Sequence, residues 1–406
     1  MKRWVFGLLA SVCLLSPNAL NLIFESKSIS IWFGLSQVAL LTLFIGFGKK
    51  ITLVRLPFYL YFSVTGLFLV ALFSGFALSG ELFGAVALMA NFFLVYLNAS
   101  ILLRVDEKSF DSVFIALFFI LFVLGLVSLC STYFLNNTGV PWLGLTHRTI
   151  PFVGEPSMYA LLFGPIAFWY GHKFHHHYKM LSLMSLFGIL FPNLTMITFV
   201  ILYVILMLHQ YNMPRYKKGL LVSMLLLAGG GVALISGAYF TSRVSLDSGS
   251  MNLSSLIYVI HWIEIWDVIS QLKILGNSIG QATHISQYND FVQRVVELYG
   301  EDIASGGGVN AGHFYLSRLA VSLGYGLFFF LFLYLISLIR SLRYARQRHQ
   351  STALLSLILL VGFLPELIFR TAGLFSLGFF YFVLGVCALE LEKTNIYRKG
   401  KKSNAS

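Results

Sequence analysis

Stretches of about twenty apolar residues recur from one end of this chain to the other, and no other feature limits its fold as strongly. "FYLYFSVTGLFLVALFSGFAL" (58–78) and "FIALFFILFVLGLVSLC" (114–130) carry no charge at all. A helix rises 1.5 Å per residue, so about 20 apolar residues reach across the hydrocarbon core of a bilayer. Inside that core the backbone must satisfy its own hydrogen bonds, which leaves the helix as the natural reading of each run. About twelve spans are expected, near 4–23, 30–47, 56–76, 81–103, 112–135, 152–171, 178–191, 194–210, 218–240, 313–339, 352–369 and 372–390. Only "FPN" (191–193) separates the seventh from the eighth, so eleven spans is the alternative count.

Composition agrees. Of 406 residues 58% are hydrophobic and 11% charged, too little polar surface to cover a soluble core. The reading is an all-α polytopic membrane protein, a single integral membrane domain over 1–406. Lys2 and Arg3 before an apolar stretch resemble a signal peptide, but the sites before Asn21 match a small-residue cleavage site poorly. An uncleaved first span is therefore expected. Cys13, Cys130 and Cys387 fall inside apolar runs and read as small apolar residues rather than a disulfide set. No C-x-x-C, HExxH, Walker or Rossmann motif is present, so neither a metal nor a cofactor is expected.

The net charge of +12 is a topology signal. Lys and Arg crowd the N-terminus, the turns near 49–55, 104–108, 173–179, 215–218 and 340–348, and residues 393–402. Those places hold 21 of the 28 cations and alternate with loops that hold the other seven. By the positive-inside rule both termini are cytoplasmic, and no nucleic-acid partner is needed to explain the charge. The histidine-rich turn "GHKFHHHYK" (171–179) is then a solvated cytoplasmic loop. Two outer segments stand out: 131–156, and 241–312, far longer than any other connection. Within the second, "LSSLIYVIHWIEIWDVISQLKIL" has helical apolar spacing interrupted by His261, Glu264 and Asp267, as expected of an amphipathic helix on the outer membrane surface.

The informative charges lie on the outer side, where cations are few. Arg148, Glu155, Arg243, Arg318 and Arg370 all fall near the outer ends of expected spans. One reading is snorkelling cations and helix-locking ion pairs. The other is a site, since ionisable groups at membrane depth are costly and usually have a partner or a function. In "HRTIPFVGEPSMYALLFGPIAF" (147–168), Pro156 suits the first turn of a helix, and Ser157 with the free N–H groups there makes an anion-friendly helix end. A guanidinium, a carboxylate and a positive helix end together suit a lipid-linked phosphate, with the acid acting on a hydroxyl. Glu155 is a base in that reading; in the other it only orients Arg148. His313 follows the glycines of "GGGVNAGHFYLSRL" (306–319) and is either an interfacial residue or a base.

These segments resemble a known family. "RTIPFVGEPSMYA" (148–160) resembles the opening of a central helix in the Wzy-type O-antigen and exopolysaccharide polymerases. "SRVSL" (242–246) and "IHWIEIWDVISQLKILGNSIGQ" (260–281) resemble the family's main outer loop. "GHFYLSRLAVSLGYGL" (312–327) resembles a segment shared with the O-antigen ligases; Phe314 and Ser322 stand where that motif has Asn and an acid. The resemblance covers about 145–330. It implies an integral-membrane glycosyltransferase architecture (GT-C-like), metal-independent and inverting. Such an enzyme polymerises undecaprenyl-diphosphate-linked repeat units at the outer face of the bacterial inner membrane. Its partners are those lipid-linked glycans, the bilayer and a chain-length regulator protein. Glu155 and His313 would be catalytic, with Arg148, Arg243, Arg318, Arg370 and Ser157 binding diphosphate and sugar. Charge grows on the departing diphosphate during glycosyl transfer, and each well-placed donor there is worth about 2.7–4 kcal/mol. An O-antigen ligase, delivering glycan to lipid A core, is the alternative, and a lipid-linked sugar flippase or other transporter is a third.

The alternation of cations yields a direct test. Asp290→Cys in an otherwise cysteine-free chain is expected to react with a membrane-impermeant thiol reagent added from outside; labelling from the cytoplasmic face alone overturns the topology.

Overall fold

A computed structural model describes residues 2–23, 29–55, 58–78, 82–134, 150, 153, 155–190, 193–210, 216, 219, 223, 253–271, 314–348, 351–370 and 376–403. Its helices are α1 (Lys2–Ile23), α2 (Ile29–Gly46), α3 (Phe58–Leu78), α4 (Leu82–Leu102), α5 (Glu107–Phe134), α6 (Pro156–Lys173) and α7 (His177–Leu190). They continue as α8 (Leu194–Gln210), α9 (Leu253–Ser270), α10 (Tyr315–Leu323), α11 (Gly326–Arg348), α12 (Ser351–Ile368) and α13 (Leu377–Ser403). No strand occurs among the described residues. All the expected spans except 218–240 fall on described helices; that one apart from Gly219 and Ser223, and all of 241–312 but α9 and Gln271, lie outside the described residues.

Among the described residues three helices contain apolar windows long enough to cross a membrane by themselves: Lys2–Leu20, Glu107–Cys130 and Gly326–Arg346. Shorter apolar helices include Ile31–Gly46, Met89–Leu102, Leu194–Leu208 and Thr352–Ile368. Large apolar side chains such as Phe62, Phe93, Val123 and Ile205 are exposed in mid-helix. In water that surface would drive aggregation; against lipid tails it costs nothing. The apolar helices mark a membrane-embedded protein.

α6 lies at the centre, packed against α5, α7, α8, α12 and α13. From Tyr159 to Trp169 it is buried on every side, which is why it shows no amphipathic stripe. Aromatic rings fill the space around it: Tyr159 stacks on Phe163 at 5.3 Å, Phe163 meets Phe187 edge-on at 5.6 Å, and Phe168 stacks on Tyr203 at 5.0 Å.

Several turns expected on the cytoplasmic side converge at one end of the bundle. Asp106 pairs with Arg3 at 3.3 Å and Lys49 at 3.2 Å. The Ser109 hydroxyl donates to it at 2.7 Å. That hydrogen bond, with the Lys49 ammonium, holds the Asp106 carboxyl down to about 2. Lys173, at the end of α6, pairs with Glu107 at 2.6 Å and Asp111 at 2.9 Å, one turn apart on α5. The start of α6 lies at the opposite end, about 27 Å away for a helix of 18 residues. The histidine-rich turn differs from expectation. His172 is buried, and His177 is half-buried with Nδ1 3.1 Å from the Tyr203 hydroxyl, because the α6–α7 turn folds back onto α8.

The expected span 313–339 is not one helix. α10 stops at Leu323 and α11 begins at Gly326, with Gly324 at φ +55° between them. A residue with a Cβ is strained there, so glycine ends the helix where the run of apolar residues continues. α7 and α8 are separate helices. The Asn193 side-chain oxygen accepts from Thr195 N at 2.9 Å and caps α8.

Glycine has a steric role at the start of α13. A Cβ on Gly378 would collide with the Glu366 carboxylate, which is 2% exposed and accepts a hydrogen bond from Ser376 Oγ. Gly378→Ala is expected to lower stability by about 1–3 kcal/mol, the cost of overpacking a close-packed interior. Thermal unfolding in detergent checks this, and adding Glu366→Ala to the same chain is expected to restore part of the loss.

Candidate functional site

The N-terminal end of α6 is built by its proline. Glu155, preceding Pro156, is held extended (φ −75°, ψ 150°), as the proline ring requires, and stands at the N-cap position. Pro156 occupies the first turn as expected. The Glu155 side chain makes no capping bond to its own helix. It turns to Arg370 instead, with Arg370 Nη2 2.6 Å from Glu155 Oε2. Ser157 Oγ is 3.5 Å from the same carboxylate oxygen, at the outer limit of a hydrogen bond.

Arg370 comes from α12. Pro365 lies in the last turn of that helix, and its carbonyl accepts from Phe369 N at 2.9 Å and Arg370 N at 3.3 Å, so Arg370 stays on the helix end. α12 runs antiparallel to α6, with Gly362 packed on Pro165 deeper in the bundle. The pair therefore places a cation at the C-terminal end of one helix and an anion at the N-terminal end of the other, each favoured by the helix dipole. The Arg370 side chain is 17% exposed and that of Glu155 55%, so one partner is nearly enclosed and the other reaches outward. Asn193 steadies the same corner, its Nδ2 donating to the Pro156 carbonyl at 2.6 Å.

One turn before Arg370, Glu366 sits in the core. Its partner Ser376 also accepts from Phe379 N at 3.1 Å, so the serine caps α13 and ties it to the carboxylate. The Tyr315 ring of α10 meets Phe363 of α12 edge-on, with ring centres 5.1 Å apart. Arg318 is in the first turn of α10, which packs against α12. It is partly buried and makes no ion pair among the described residues.

α9 covers α10 from the other side. His261 and Glu264 of this helix face inward, which plain amphipathic spacing does not show. His261 Nδ1 lies 2.8 Å from Glu264 Oε2, with side-chain exposures of 0% and 3%. Trp262 and Trp266, 42% and 67% exposed, face outward. Tyr258 donates to the Ile368 carbonyl at 3.2 Å, placing the first half of α9 beside the end of α12.

Of the residues expected at the site, Glu155, Ser157 and Arg370 are in contact and Arg318 lies on an adjoining helix. Arg148, Arg243 and His313 lie outside the described residues. The pairing of Glu155 with Arg370 was not legible, because 215 positions separate them. Glu366 had a signal: it is the only charge in the apolar run 352–369. The His261–Glu264 pair had one too, an i,i+3 spacing that puts both on one helix face. Among the described residues no three His, Cys, Asp or Glu side chains converge as metal ligands would.

No protein-family model matches the chain, and no curated protein is similar to it in sequence.

The Glu155–Arg370 geometry predicts a modest coupling. In a double-mutant cycle with Glu155→Gln and Arg370→Gln, an interaction of about 0.2–1 kcal/mol is expected, since the carboxylate is more than half exposed. Unfolding of the four proteins in detergent measures it.

Proposed function

We propose that the chain is an integral-membrane glycosyltransferase that elongates undecaprenyl-diphosphate-linked oligosaccharides at the outer face of a bacterial inner membrane, both termini being cytoplasmic. The observation that carries this reading is the clustering of ionisable groups at one end of an otherwise apolar bundle. The half-exposed Glu155–Arg370 pair sits at the uncapped N-terminus of α6, with an Arg318 lacking an acidic partner among the described residues on the neighbouring α10. A diphosphate leaving group needs cations and helix-end N–H donors held in place before the reaction, and such groups are available there. The polyprenyl tail of such a substrate would remain in the bilayer against the apolar outer surface of the helices. The motif resemblance at 148–160, with Glu155, Pro156 and Ser157, favours polymerase chemistry over ligation to lipid A core.

The break at Gly324 favours a second reading, transport of a lipid-linked sugar, because discontinuous helices line the sites of many transporters.

Deleting the gene in its source bacterium and restoring it with variants separates these readings. Arg148→Ala, Arg243→Ala and Arg318→Ala are each expected to abolish long-chain glycan while membrane abundance stays near wild type. Loss of the protein itself would mean that the arginines only hold helices together. Accumulation of the lipid-linked unit on the cytoplasmic leaflet would support transport.

A further inference from the structure

We propose that Arg343 and Arg346, near the C-terminal end of α11, hold the phosphate of an anionic phospholipid whose acyl chain lies along the outward face of the same helix. This lipid site holds whether or not the chain is a transferase. The exposed positions described on α11 are Phe328, Phe332, Leu335, Ile339, Arg343 and Arg346, in steps of four, three, four, four and three residues. That spacing is the 3.6-residue repeat of a single helix face. The opposite face is buried on α12, where Tyr334 donates to the Leu360 carbonyl at 3.0 Å and Ser341 Oγ lies 2.6 Å from Ser356 Oγ. One uninterrupted outward stripe is therefore apolar for most of its length and cationic at its end.

The dimensions match one leaflet. From Phe328 to Ile339 the helix rises about 16 Å, close to half of a hydrocarbon core roughly 30 Å thick. Arg343 follows about 6 Å further along, at the depth of the headgroups. Helical side chains lean toward the N-terminus of their helix, which inclines both arginines back toward the membrane. Three residues apart, they are neighbours on the helix surface, and a guanidinium fork matches the geometry of a phosphate.

Other cations of the bundle are answered from within it. Arg3 and Lys49 share Asp106, Lys173 has Glu107 and Asp111, and Arg340 lies 3.7 Å from Glu390. Arg343 and Arg346 make no ion pair among the described residues. Glu392 does not supply one, being 2% exposed and accepting from Thr352. A phospholipid satisfies both parts of the stripe at once. Its acyl chain covers Phe328, Phe332, Leu335 and Ile339, and its phosphate meets the guanidinium groups. An acidic protein partner outside the bilayer would meet the charged end alone.

The test offers full-length protein in detergent equal amounts of phosphatidylglycerol and phosphatidylcholine with identical acyl chains. Native mass spectrometry counts the lipids that stay bound. Wild type is expected to prefer phosphatidylglycerol about 25-fold, since each cation at the membrane surface favours an anionic headgroup about fivefold. Arg343→Gln and Arg346→Gln are each expected to lower that preference about fivefold, and the double variant to erase it. Lys50→Gln, an exposed cation in the turn after α2, is expected to leave it within about twofold. Equal preference in wild type and double variant overturns the proposal. An equal loss in Lys50→Gln overturns it in favour of attraction to overall charge. Displacement of the bound lipid by millimolar inorganic phosphate overturns the lipid as occupant. Wild type without a preference overturns it as well, and an acidic protein that copurifies only when both arginines are present would then be the occupant. If the double variant does not fold, the single variants decide, and an unchanged preference in both overturns the proposal.

Discussion

The contact between Glu155 and Arg370 ties the centre of this molecule together where its central helix begins. α6 is the helix around which α5, α7, α8, α12 and α13 pack, and it is apolar on all sides. The packing of Gly362 on Pro165 fixes how α6 and α12 sit against each other, and the ion pair between the two helix ends joins them at one end. At the other end Lys173 clasps Glu107 and Asp111 of α5, so the central helix is held at both termini by charges and along its length by rings.

The same economy governs the other buried polar groups. In an apolar surrounding an unmet carboxylate is expensive, and a local partner meets it. Glu366 accepts from Ser376 and lies over Gly378, where no side chain intrudes. Glu264 faces His261 across the inner side of α9. These partnerships gather around the broken segment α10–α11, where Gly324 turns the chain.

Much of the fold was legible because bilayer-length apolar runs have few alternatives. The helix starts at Pro156 and Leu194 follow from proline and asparagine chemistry at those positions, and both helices begin there. The continuous span 313–339 was not legible as two helices, since the hydropathy of "LAVSLGYGLFFF" (319–330) does not fall at Gly324 while its backbone changes hand. The histidine turn read as solvated because it falls in a cation-rich turn on the expected cytoplasmic side, yet folding of α7 against α8 brings Tyr203 within reach of His177.

The sequence by itself determined that the chain is helical, apolar and membrane-embedded, and that its scarce charges concentrate at helix ends. Those are properties of local composition and backbone hydrogen bonding, which any stretch of about twenty residues carries within itself. Only the tertiary structure decided which charge meets which. Glu155 finds Arg370, Glu366 finds Ser376, and His261 and Glu264 of α9 turn inward rather than to solvent. Pairing of that kind depends on how helices far apart in sequence are rotated and stacked. Rotation is set by the fit of side chains between helices, a quantity that no single segment contains.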